Sequence, residues 1–399
     1  MHQNIQNLVS VAQKQERLVI GLMSGTSMDG LDIALCAISG SGKETRFELK
    51  AFTTVDYNAD FKEKILSIFS KEMVSLESLT LLNAWVGQQH GKMILSTLES
   101  WHIKPSTIDM IASHGQTIYH APKSLHPHSE YGPATLQIGD GDHIAVTTGI
   151  LTLSDFRQKH VAAGGEGAPL AVYGDYLLCS HPTENRLLLN MGGIANFTYL
   201  AAGCRLDQVF STDTGTGNTL MDAFTRTHFA PLAYDKGGAI AASGAINSDL
   251  LAALKAHSFF ALGLPKTIGP ELFNLEFLAN AQKASQTDNI SPQDVMATLN
   301  RFSAETIADC INSSLATGTS FNMYSSGGGM HNPVLMGHLL SLLPNATLHS
   351  SDVLGIHPDA KEAILFALLA NEAVAGTPLY AGGHATKIPI TMGKFSFPS

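Results

Sequence analysis

Small residues, hydroxyls and carboxylates are concentrated in one stretch near the N-terminus, IGLMSGTSMDGLD at residues 20–32. Apolar runs at 18–22 and 33–38 flank it, so the pattern predicts a β-hairpin with a polar tip. Gly25 and Gly30 allow the backbone to approach a ligand closely and to turn its amide groups outward. The tip is therefore a candidate site for phosphate oxygens.

The other side chains of this tip suit a phosphate that is accompanied by a metal ion. Thr26 and Ser27 add O–H donors to the backbone amides. Asp29 and Asp32 repel phosphate directly, but their carboxylates suit Mg²⁺ or an ordered water that faces one. The alternative is an ordinary glycine-rich surface turn, and the rest of the chain is needed to choose between the two.

Two later segments repeat this chemistry. Residues 187–191 predict a strand, Gly192 and Gly193 a turn, and residues 194–200 a returning strand. A third apolar run ends in three glycines at 327–329, which leave room for an adenine or a ribose ahead of a helix predicted at 332–343. A phosphate chain held from two sides needs two such tips, so this order of segments favours nucleotide binding.

Motifs of several other enzyme classes are absent from the sequence. It has no G-x-x-x-x-G-K-[ST] segment, which excludes a Walker-type P-loop. It has no G-x-G-x-x-G segment after a predicted strand, so a Rossmann dinucleotide site is unsupported. It has no G-x-S-x-G segment either, which weakens an α/β-hydrolase interpretation.

The length and composition of the chain narrow the possible classes of protein further. A chain of 399 residues exceeds the usual size of one hydrophobic core, so two domains are expected. The formal net charge of −10 argues against nucleic-acid or anionic-membrane partners. No run approaches the ~18 apolar residues that span a bilayer, and residues 1–17 lack the apolar stretch of a signal peptide. We expect a cytoplasmic protein with buried thiols at its four cysteines, and no metal site built from protein side chains alone.

Strands and helices alternate along the chain, and polar residues gather where predicted strands end. His114 and Gln116 follow a strand at 110–113, and Asp155 and Arg157 follow another. Because ligands of open α/β sheets bind at strand ends, these four residues are candidate binding groups. The remaining predicted elements are strands at 47–54 and 135–138, helices at 61–69, 76–98 and 357–375, a helix followed by a strand at 144–154, and a flexible hinge or lid at 162–167.

Asp213 has two interpretations. It follows an apolar pair at 209–210 and precedes the sequence TGTGN at 214–218, where a helix is predicted to start. A carboxylate at the end of a strand can take a proton from a water or a hydroxyl. Aspartate is equally common as the N-cap of a helix, and the residues alone do not separate these roles.

The order and content of these segments resemble the sugar kinase, heat-shock-70 and actin superfamily, and more closely the anhydro-N-acetylmuramic acid kinases. The resemblance extends from about Arg17 to the C-terminus. One departure is Thr216, where the family has proline in a G-P-G-N turn; the change loosens the loop but leaves Asp213 and Asn218 in place. The segments that carry the resemblance lie at 21–32, 113–117, 155–157, 161–169, 190–196, 213–218, 263–269 and 327–329.

The resemblance implies an α/β fold of the two-lobed actin-like ATPase (ribonuclease H-like) type, with mixed sheets and a cleft between the lobes. The first lobe is expected at 1–150, joined by 370–399, and the second at 151–369. The implied reaction is ATP-dependent phosphorylation of 1,6-anhydro-N-acetylmuramic acid, in which water opens the 1,6-anhydro ring. The products would be ADP and N-acetylmuramic acid 6-phosphate, in the recycling of cell-wall sugar.

The resemblance also implies residue roles. Asp213 is the expected catalytic base, and Glu362 a second catalytic acid group whose alternative is a solvated helix residue. On the sugar side, Arg157 would pair with the lactyl carboxylate of the substrate, the alternative being a structural ion pair. The other expected sugar-binding residues are His114, Gln116 and Asp155, and ATP with Mg²⁺ would be bound by Gly25, Thr26, Ser27, Met28, Asp29, Gly30, Leu31, Asp32, Gly192, Gly193, Gly327, Gly328 and Gly329.

Two other functions remain open at this point. An ordinary hexose- or acetate-type kinase on the same fold would use Asp213 to deprotonate a substrate hydroxyl. A non-enzymatic switch of the heat-shock-70 or actin kind would bind the nucleotide without a sugar. A homodimer is expected only through the family resemblance.

Overall fold

The computed structural model describes residues 2–123, 126–168, 170–268, 272–357, 359–378 and 389–398. Pro169 and Gly269, which end two of the segments that carry the resemblance, lie outside the described residues, as do residues 379–388 of the C-terminal segment. The chain divides into two compact units. The first comprises Met1–Ser180, Arg205–Gln208 and Ile356–Ser399, and the second His181–Cys204 and Val209–Gly355.

The described part of the first unit is built on a seven-stranded mixed sheet with the order β12-β6-β4-β1-β2-β3, in which β5 pairs with β4. Strands β1, β2 and β3 form an antiparallel meander, β4 is parallel to β1, and β6 is parallel to β4. With labels in chain order, its elements are α1 Gln3–Gln13, β1 Glu16–Ser24, β2 Gly30–Ser39, β3 Arg46–Asp56, α2 Ala59–Leu66, α3 Leu76–Ser100, β4 Met110–Ala121, β5 Ala134–Ile138, α4 Gly141–Thr148, β6 Thr152–Ser154, α5 Phe156–Ala162, α6 Ala171–Cys179, α13 Lys361–Ala375 and β12 Lys394–Ser396.

The described part of the second unit is built on a five-stranded sheet with the order β11-β10-β7-β8-β9. Strands β7, β8 and β9 form an antiparallel meander, and β10 joins β7 in parallel. Its elements are β7 Arg186–Met191, β8 Ile194–Leu200, β9 Phe210–Thr216, α7 Thr219–His228, α8 Ala239–Ser243, α9 Ser248–Lys255, α10 Leu275–Ser285, α11 Pro292–Ser314, β10 Phe321–Ser326, α12 Pro333–Leu342 and β11 Ala346–Ser350.

The two sheets share one topology. In each, an antiparallel meander is followed by a strand that joins the first strand in parallel and then by a further parallel strand, which is the ribonuclease H-like order. The central strands of both sheets are apolar on both faces because helices cover them, as in other mixed α/β sheets. The predicted α/β class with mixed sheets is confirmed, and the cleft between the lobes stays a prediction.

The bounds of the units differ from those expected for the lobes. Residues 151–180 and 356–369 belong to the first unit, not the second. Strand β6 pairs with β4, and helix α13 packs against β1, β2 and β4, so both segments complete the first sheet and its core. Strand β12 in the C-terminal segment pairs with β6 in the same sheet.

Local structure also corrects some of the predicted strand and helix ends. Strand β4 does not end at residue 113 but runs through the polar cluster at 114–117, because antiparallel pairing with β5 extends it. The last helix begins at Lys361 instead of 357. Both predicted hairpins are present, as are strand β10 and helix α12. Within the described ranges, no helix combines the length and apolar character needed to cross a membrane.

Candidate active site

The tip that joins β1 to β2 comprises residues 25–29. A Cβ atom added to Gly25 would have the Ser27 hydroxyl as its nearest neighbour, at 3.5 Å, so a ligand can approach this glycine. Thr26 and Ser27 are exposed, whereas Met28 is buried in a left-handed conformation (φ 56°) and its N–H donates to the Gly25 carbonyl at 3.2 Å. Met28 therefore anchors the tip while its neighbours present an amide and hydroxyl surface.

Packing explains two other residues that were expected to bind the nucleotide. A Cβ atom on Gly30 would lie 2.6 Å from the carbonyl oxygen of Val55 in β3, so the neighbouring strand requires glycine there. Leu31 is fully buried in the core of the first unit. Packing alone therefore explains why glycine and leucine stand at these two positions.

Four carboxylates act on one another beside this tip. Asp32 accepts a hydrogen bond from the Thr54 hydroxyl at 2.6 Å. Burial raises the pKa of Asp32, the Thr54 bond opposes that shift, and the charges of Asp359 and Asp29 add to it. The Glu362 side chain is exposed to solvent, although protein atoms lie close to its carboxylate. This partial burial raises the pKa of Glu362, and the charge of Asp32 acts in the same direction. A cation at this position would relieve the repulsion within the group.

The second tip is held by backbone hydrogen bonds. Gly193 O accepts from the N–H groups of Gly217 at 2.8 Å and Thr219 at 3.2 Å, and Gly192 O accepts from Asn218 N at 2.9 Å. A Cβ atom on Gly192 would have no neighbour closer than 3.7 Å, whereas one on Gly193 would lie 2.7 Å from the Thr219 hydroxyl. Gly192 is therefore the open position of this tip, next to the first residue of helix α7.

The three-glycine turn after β10 packs against the end of β7. Gly327 has a φ of 83°, and a Cβ atom on it would lie 2.7 Å from the Met191 carbonyl group. A Cβ atom on Gly329 would lie 2.7 Å from the Met191 Cβ, while one on Gly328 would meet only the Asn218 amide, at 3.5 Å. Asn218 in turn donates to Met191 O at 3.1 Å. Asn218 thus binds the end of β7 and the second tip, and it lies beside the three-glycine turn.

A cavity of about 300 Å³ opens beside this turn. The buried hydroxyl of Ser325 lines it and has no hydrogen-bond partner among the described residues. Its size lies at the lower end of the ~300–1,000 Å³ typical of small-molecule sites, and its apolar lining with a few polar groups suits a flat aromatic base. The lining residues are Ser325, Met330, His331, Pro333, Met336, Leu348, His349 and Ser350.

Asp213 lies inside strand β9, five residues before the N-cap position of α7, which Asn218 occupies. Its N–H donates to Lys266 O at 2.9 Å, and its Oδ2 accepts from Ile268 N at 2.8 Å. Burial raises the pKa of the Asp213 carboxyl, and the Ile268 hydrogen bond opposes the shift. The N-cap alternative is therefore wrong, and the site presents an oriented carboxylate that is more basic than usual.

Arg157, in helix α5, is held by two groups of the first unit. Its Nε donates to His114 Nε2 at 2.9 Å, and its Nη1 donates to Gly167 O at 2.7 Å. Burial and, to a smaller extent, the Arg157 charge lower the pKa of His114 to about 3, so the imidazole is neutral and accepts the bond. Burial also lowers the pKa of Arg157, while Glu362 raises it. The two predicted sugar residues are together, with Glu362 as a charge partner.

Gln116 is engaged entirely within the protein. It is fully buried, and its Nε2 donates to Gly25 O and to Thr117 O, both at 3.2 Å. Its Oε1 accepts from the Ser24 hydroxyl at 2.5 Å. With both amide N–H groups used in this way, Gln116 supports the first tip and has no donor left for a sugar.

Asp155 occupies the N-cap position of α5 in a left-handed conformation with φ 58°. Its carboxylate pairs with the ammonium group of Lys394 in β12. A left-handed non-glycine residue is strained, and such strain concentrates at binding sites. The ion pair with Lys394 gives Asp155 a structural role, so a bound sugar would have to share the Asp155 carboxylate with Lys394.

Sequence reasoning missed three groups of the site. Asp359 acts on Asp32, and its spacing of three residues from Glu362 was the available signal. Asn218 binds the end of β7 and the second tip, and its place directly after Gly217 could have indicated a role there. Ile268 orients Asp213 through its backbone N–H, which no residue type reveals.

Comparison with known proteins places the chain in one family. A family model described as anhydro-N-acetylmuramic acid kinase matches residues 17–388. The anhydro-N-acetylmuramic acid kinase of Pseudoalteromonas atlantica (strain T6c / ATCC BAA-1087) is 57% identical over 400 residues, covering 100% of both chains. That of Caldanaerobacter subterraneus subsp. tengcongensis is 36% identical over 98% of this chain and 99% of the relative.

Likeness to solved structures is weaker. Component A of (R)-2-hydroxyglutaryl-CoA dehydratase from Acidaminococcus fermentans aligns with 90% of this chain and 99% of its own, at 12% identity and a TM-score of 0.41. That similarity is too low to support a conclusion. The family model and the two relatives, in contrast, extend over nearly the whole sequence, and the chain belongs to the anhydro-N-acetylmuramic acid kinase family.

Proposed function

We propose that this protein uses ATP to phosphorylate 1,6-anhydro-N-acetylmuramic acid and adds water across the 1,6-anhydro bond in the same turnover. The products are ADP and N-acetylmuramic acid 6-phosphate. Family membership and the names of the relatives support the substrate class. The single observation that carries the mechanism is Asp213, a half-buried carboxylate held by a backbone N–H in mid-strand with its pKa raised by burial.

The proton and phosphoryl transfers assign a role to Asp213. Water attacks C1 of the sugar while the C1–O6 bond breaks, and Asp213 takes the proton that this water loses. The O6 released from C1 accepts the γ-phosphoryl group of ATP. Ile268 N holds one carboxylate oxygen of Asp213, which fixes the direction of the group during proton transfer. Proton and phosphate are thus accounted for without a second base.

The two tips would hold the phosphate chain. The backbone at Gly25 and Gly192 is open to a ligand, because a Cβ atom at either position would meet no atom of the described residues closer than 3.5 Å. Helix α7 begins beside the second tip, and its N-terminus favours negative charge. When bound, Mg²⁺ supplies charge neutralisation for the phosphates. Asp29 and Asp32 would contribute carboxylate ligands to it, since a cation relieves the repulsion between them.

No group of three or more His, Cys, Asp or Glu side chains in the described ranges is arranged to hold a metal ion by itself. The proposed Mg²⁺ would share its ligands with the nucleotide, because this ion is bound through one or two carboxylates together with phosphate oxygens. The adenine would occupy the cavity beside the three-glycine turn, whose mainly apolar lining suits a flat base.

Arg157 would recognise the lactyl carboxylate of the sugar. His114 and Gly167 O use two of its five N–H groups and fix the guanidinium plane. A planar guanidinium binds a carboxylate through charge-assisted hydrogen bonds. Glu362 acts on Arg157 through its charge, and as an anion it would repel the bound carboxylate and not hold it.

The cellular setting follows from the proposed reaction. Sugar released from the cell wall would be phosphorylated in the cytoplasm, where ATP is available, and the phosphate would prevent its loss through the membrane. We further propose a homodimer, on the ground of family membership alone.

The test is ADP formation with Mg²⁺, ATP and a set of sugars, followed by mass analysis of the product. The expected product of 1,6-anhydro-N-acetylmuramic acid is heavier by one phosphoryl group plus one water. Phosphorylation of glucose or acetate in place of the anhydro sugar would instead indicate an ordinary kinase. ATP binding without turnover of any sugar would indicate a nucleotide-dependent switch.

A further inference from the structure

A chain of buried hydrogen bonds leads from helix α3 to the first tip. His90 Nε2 lies 2.9 Å from the Tyr57 hydroxyl, which lies 2.7 Å from Ser24 Oγ. Ser24 Oγ donates to Gln116 Oε1, and Gln116 Nε2 donates to the carbonyl oxygen of Gly25 in the tip. His90, Ser24 and Gln116 are each no more than 1% exposed, and Tyr57 is 3% exposed.

The donor and acceptor of every hydrogen bond in this chain follow from the bonds that Gln116 makes at its end. Gln116 directs both N–H groups at carbonyl oxygens, so its Oε1 can only accept. The single hydrogen of Ser24 therefore goes to Gln116, and Ser24 must accept from the Tyr57 hydroxyl. Tyr57 has then used its own hydrogen, so it must accept from His90, which carries its proton on Nε2.

Two further observations agree with this assignment. Burial lowers the pKa of His90 to about 4, so the ring is neutral near pH 7 and holds one N–H. His90 Nδ1 has no hydrogen-bond partner among the described residues. With the proton on Nε2, Nδ1 is a bare acceptor; the opposite tautomer would bury an N–H without an acceptor, which costs more.

Tyr57 holds the tip at both ends. Its hydroxyl supports Ser24 and, through Gln116, the Gly25 carbonyl at the start of the tip. Its backbone N–H donates to the carbonyl oxygen of Asp29, at the end of the tip, at 3.1 Å. Its ring stacks on Phe61 with 3.9 Å between centroids, which fixes the side chain independently of the hydroxyl.

We propose that Tyr57 and His90 are positioning residues for the first tip: their hydrogen-bond chain sets the conformation in which the tip binds the phosphates of ATP. This inference rests on the proposed function, in which residues 25–29 contact the nucleotide. It also gives Gln116 a role different from the sugar contact expected of it. None of the three residues needs to touch a ligand for this effect.

Tyr57→Phe tests the proposal, since it removes the hydroxyl and keeps the stacked ring. We expect the KM for ATP to rise about fivefold, as for loss of one hydrogen bond in the chain, with the KM for the sugar changed less than about twofold. Tyr173→Phe is the matched control, because Tyr173 is equally buried in the same unit and its hydroxyl has no hydrogen-bond partner among the described residues. A lower melting temperature for Tyr57→Phe with an unchanged KM for ATP would reduce the chain to a stabilising contact and overturn the proposal.

His90 variants separate the chain from general packing. His90→Gln can place an amide N–H near the Nε2 position and should retain most of the ATP affinity, whereas His90→Leu should resemble Tyr57→Phe. Combining His90→Leu with Tyr57→Phe should add little, because both break the same chain. Full additivity of the two changes, or equal losses for Gln and Leu, would show that the chain does not act as a unit.

The tautomer gives a readout that does not depend on activity. Long-range ¹H–¹⁵N correlation spectra of the histidines should show His90 protonated at Nε2 at neutral pH, and the signal should change in Tyr57→Phe. Protonation at Nδ1 would overturn the chain itself. If the tautomer is as expected but the wild-type protein turns over no ATP, the proposed function has failed while the hydrogen-bond chain stands.

Discussion

The two glycine tips occupy the same place in two sheets of the same topology, yet they are held in different ways. The tip after β1 has five residues and is held by the side-chain amide of Gln116 together with the backbone N–H of Tyr57. The tip after β7 has two residues, and the backbone N–H groups of residues 217–219 hold it. Repetition of a fold therefore preserved the position of the tip but not the interactions that fix it.

The chemistry of the two units differs in a similar way. The first unit presents charged side chains, with four carboxylates near its tip and Arg157 beside His114. The second presents backbone amides, an apolar cavity and one oriented carboxylate, Asp213. We infer that the first unit selects charged ligands, whereas the second supplies the base and receives the nucleoside.

The largest effect is expected in the second unit, at Asp213. Asp213→Asn keeps the shape of the side chain but removes the proton acceptor, so turnover should fall at least ~10²-fold, the usual contribution of a general base. ATP affinity, measured by calorimetry, should survive. Asp249→Asn, an exposed change in the first turn of α9, serves as the control. A folded Asp213→Asn protein with near-normal turnover would move the base to another residue.

A matched pair of glycine variants compares the tips directly. At both Gly25 and Gly192 an added Cβ meets no atom of the described residues closer than 3.5 Å, so a side chain can start there, and the methyl groups of valine would cover the amides. Each variant should weaken ATP binding roughly 10- to 100-fold, as for loss of one hydrogen bond to a charged group. If only one of the two variants weakens ATP binding, while circular dichroism shows that both proteins are folded, a single tip contacts phosphate.

Arg157 tests the selectivity assigned to the first unit. Arg157→Ala should weaken the interaction of the enzyme with the muramic sugar by about 1.5–3 kcal/mol relative to 1,6-anhydro-N-acetylglucosamine, which lacks the lactyl carboxylate. The measurement is the ratio of kcat/KM for the two sugars, with the exposed Arg226→Ala as the control. An equal loss for both sugars would assign Arg157 to the internal contacts with His114 and Gly167.

The smallest effect is a shift in pH dependence. Protonation of Asp213 removes the base, so kcat/KM should fall as the pH drops through the pKa of this group. Burial raises that pKa from its ordinary value of 3.8, so the acid limb should lie above 3.8. Glu362 also has a raised pKa, and Glu362→Gln shows whether it contributes. An acid limb at or below 3.8 in protein that is still folded would rule out a carboxylate with a raised pKa as the base.

Much of the fold could be predicted because it rests on local pattern. Apolar runs on either side of glycines predicted both hairpins, and Pro333 after Asn332 marked the start of α12. Helix α11 was not predicted, because it is buried on nearly every face and polar residues such as Asn300, Ser303 and Thr306 interrupt its apolar pattern. Its periodicity is therefore too weak to recognise.

The site was less predictable because contacts distant in sequence decide its roles. Gln116 lies in a polar cluster that suggested a sugar site. Its side-chain amide, however, forms hydrogen bonds with Ser24 and Gly25, which lie about ninety residues away in the sequence. Asp213 resembled an N-cap only while the end of β9 was unknown. Residue type identified these groups, but long-range hydrogen bonds determined what each can do.

The most direct test of the account is to run the reaction with 1,6-anhydro-N-acetylmuramic acid, Mg²⁺ and ATP in oxygen-18 water and to locate the label. N-acetylmuramic acid 6-phosphate kept in the same water without protein corrects for exchange at C1. The account predicts one oxygen-18 atom at C1 and none in the phosphate, because water attacks C1 while O6 receives the phosphoryl group. A phosphorylated product that keeps its 1,6-anhydro bond, or label in the phosphate, would contradict it.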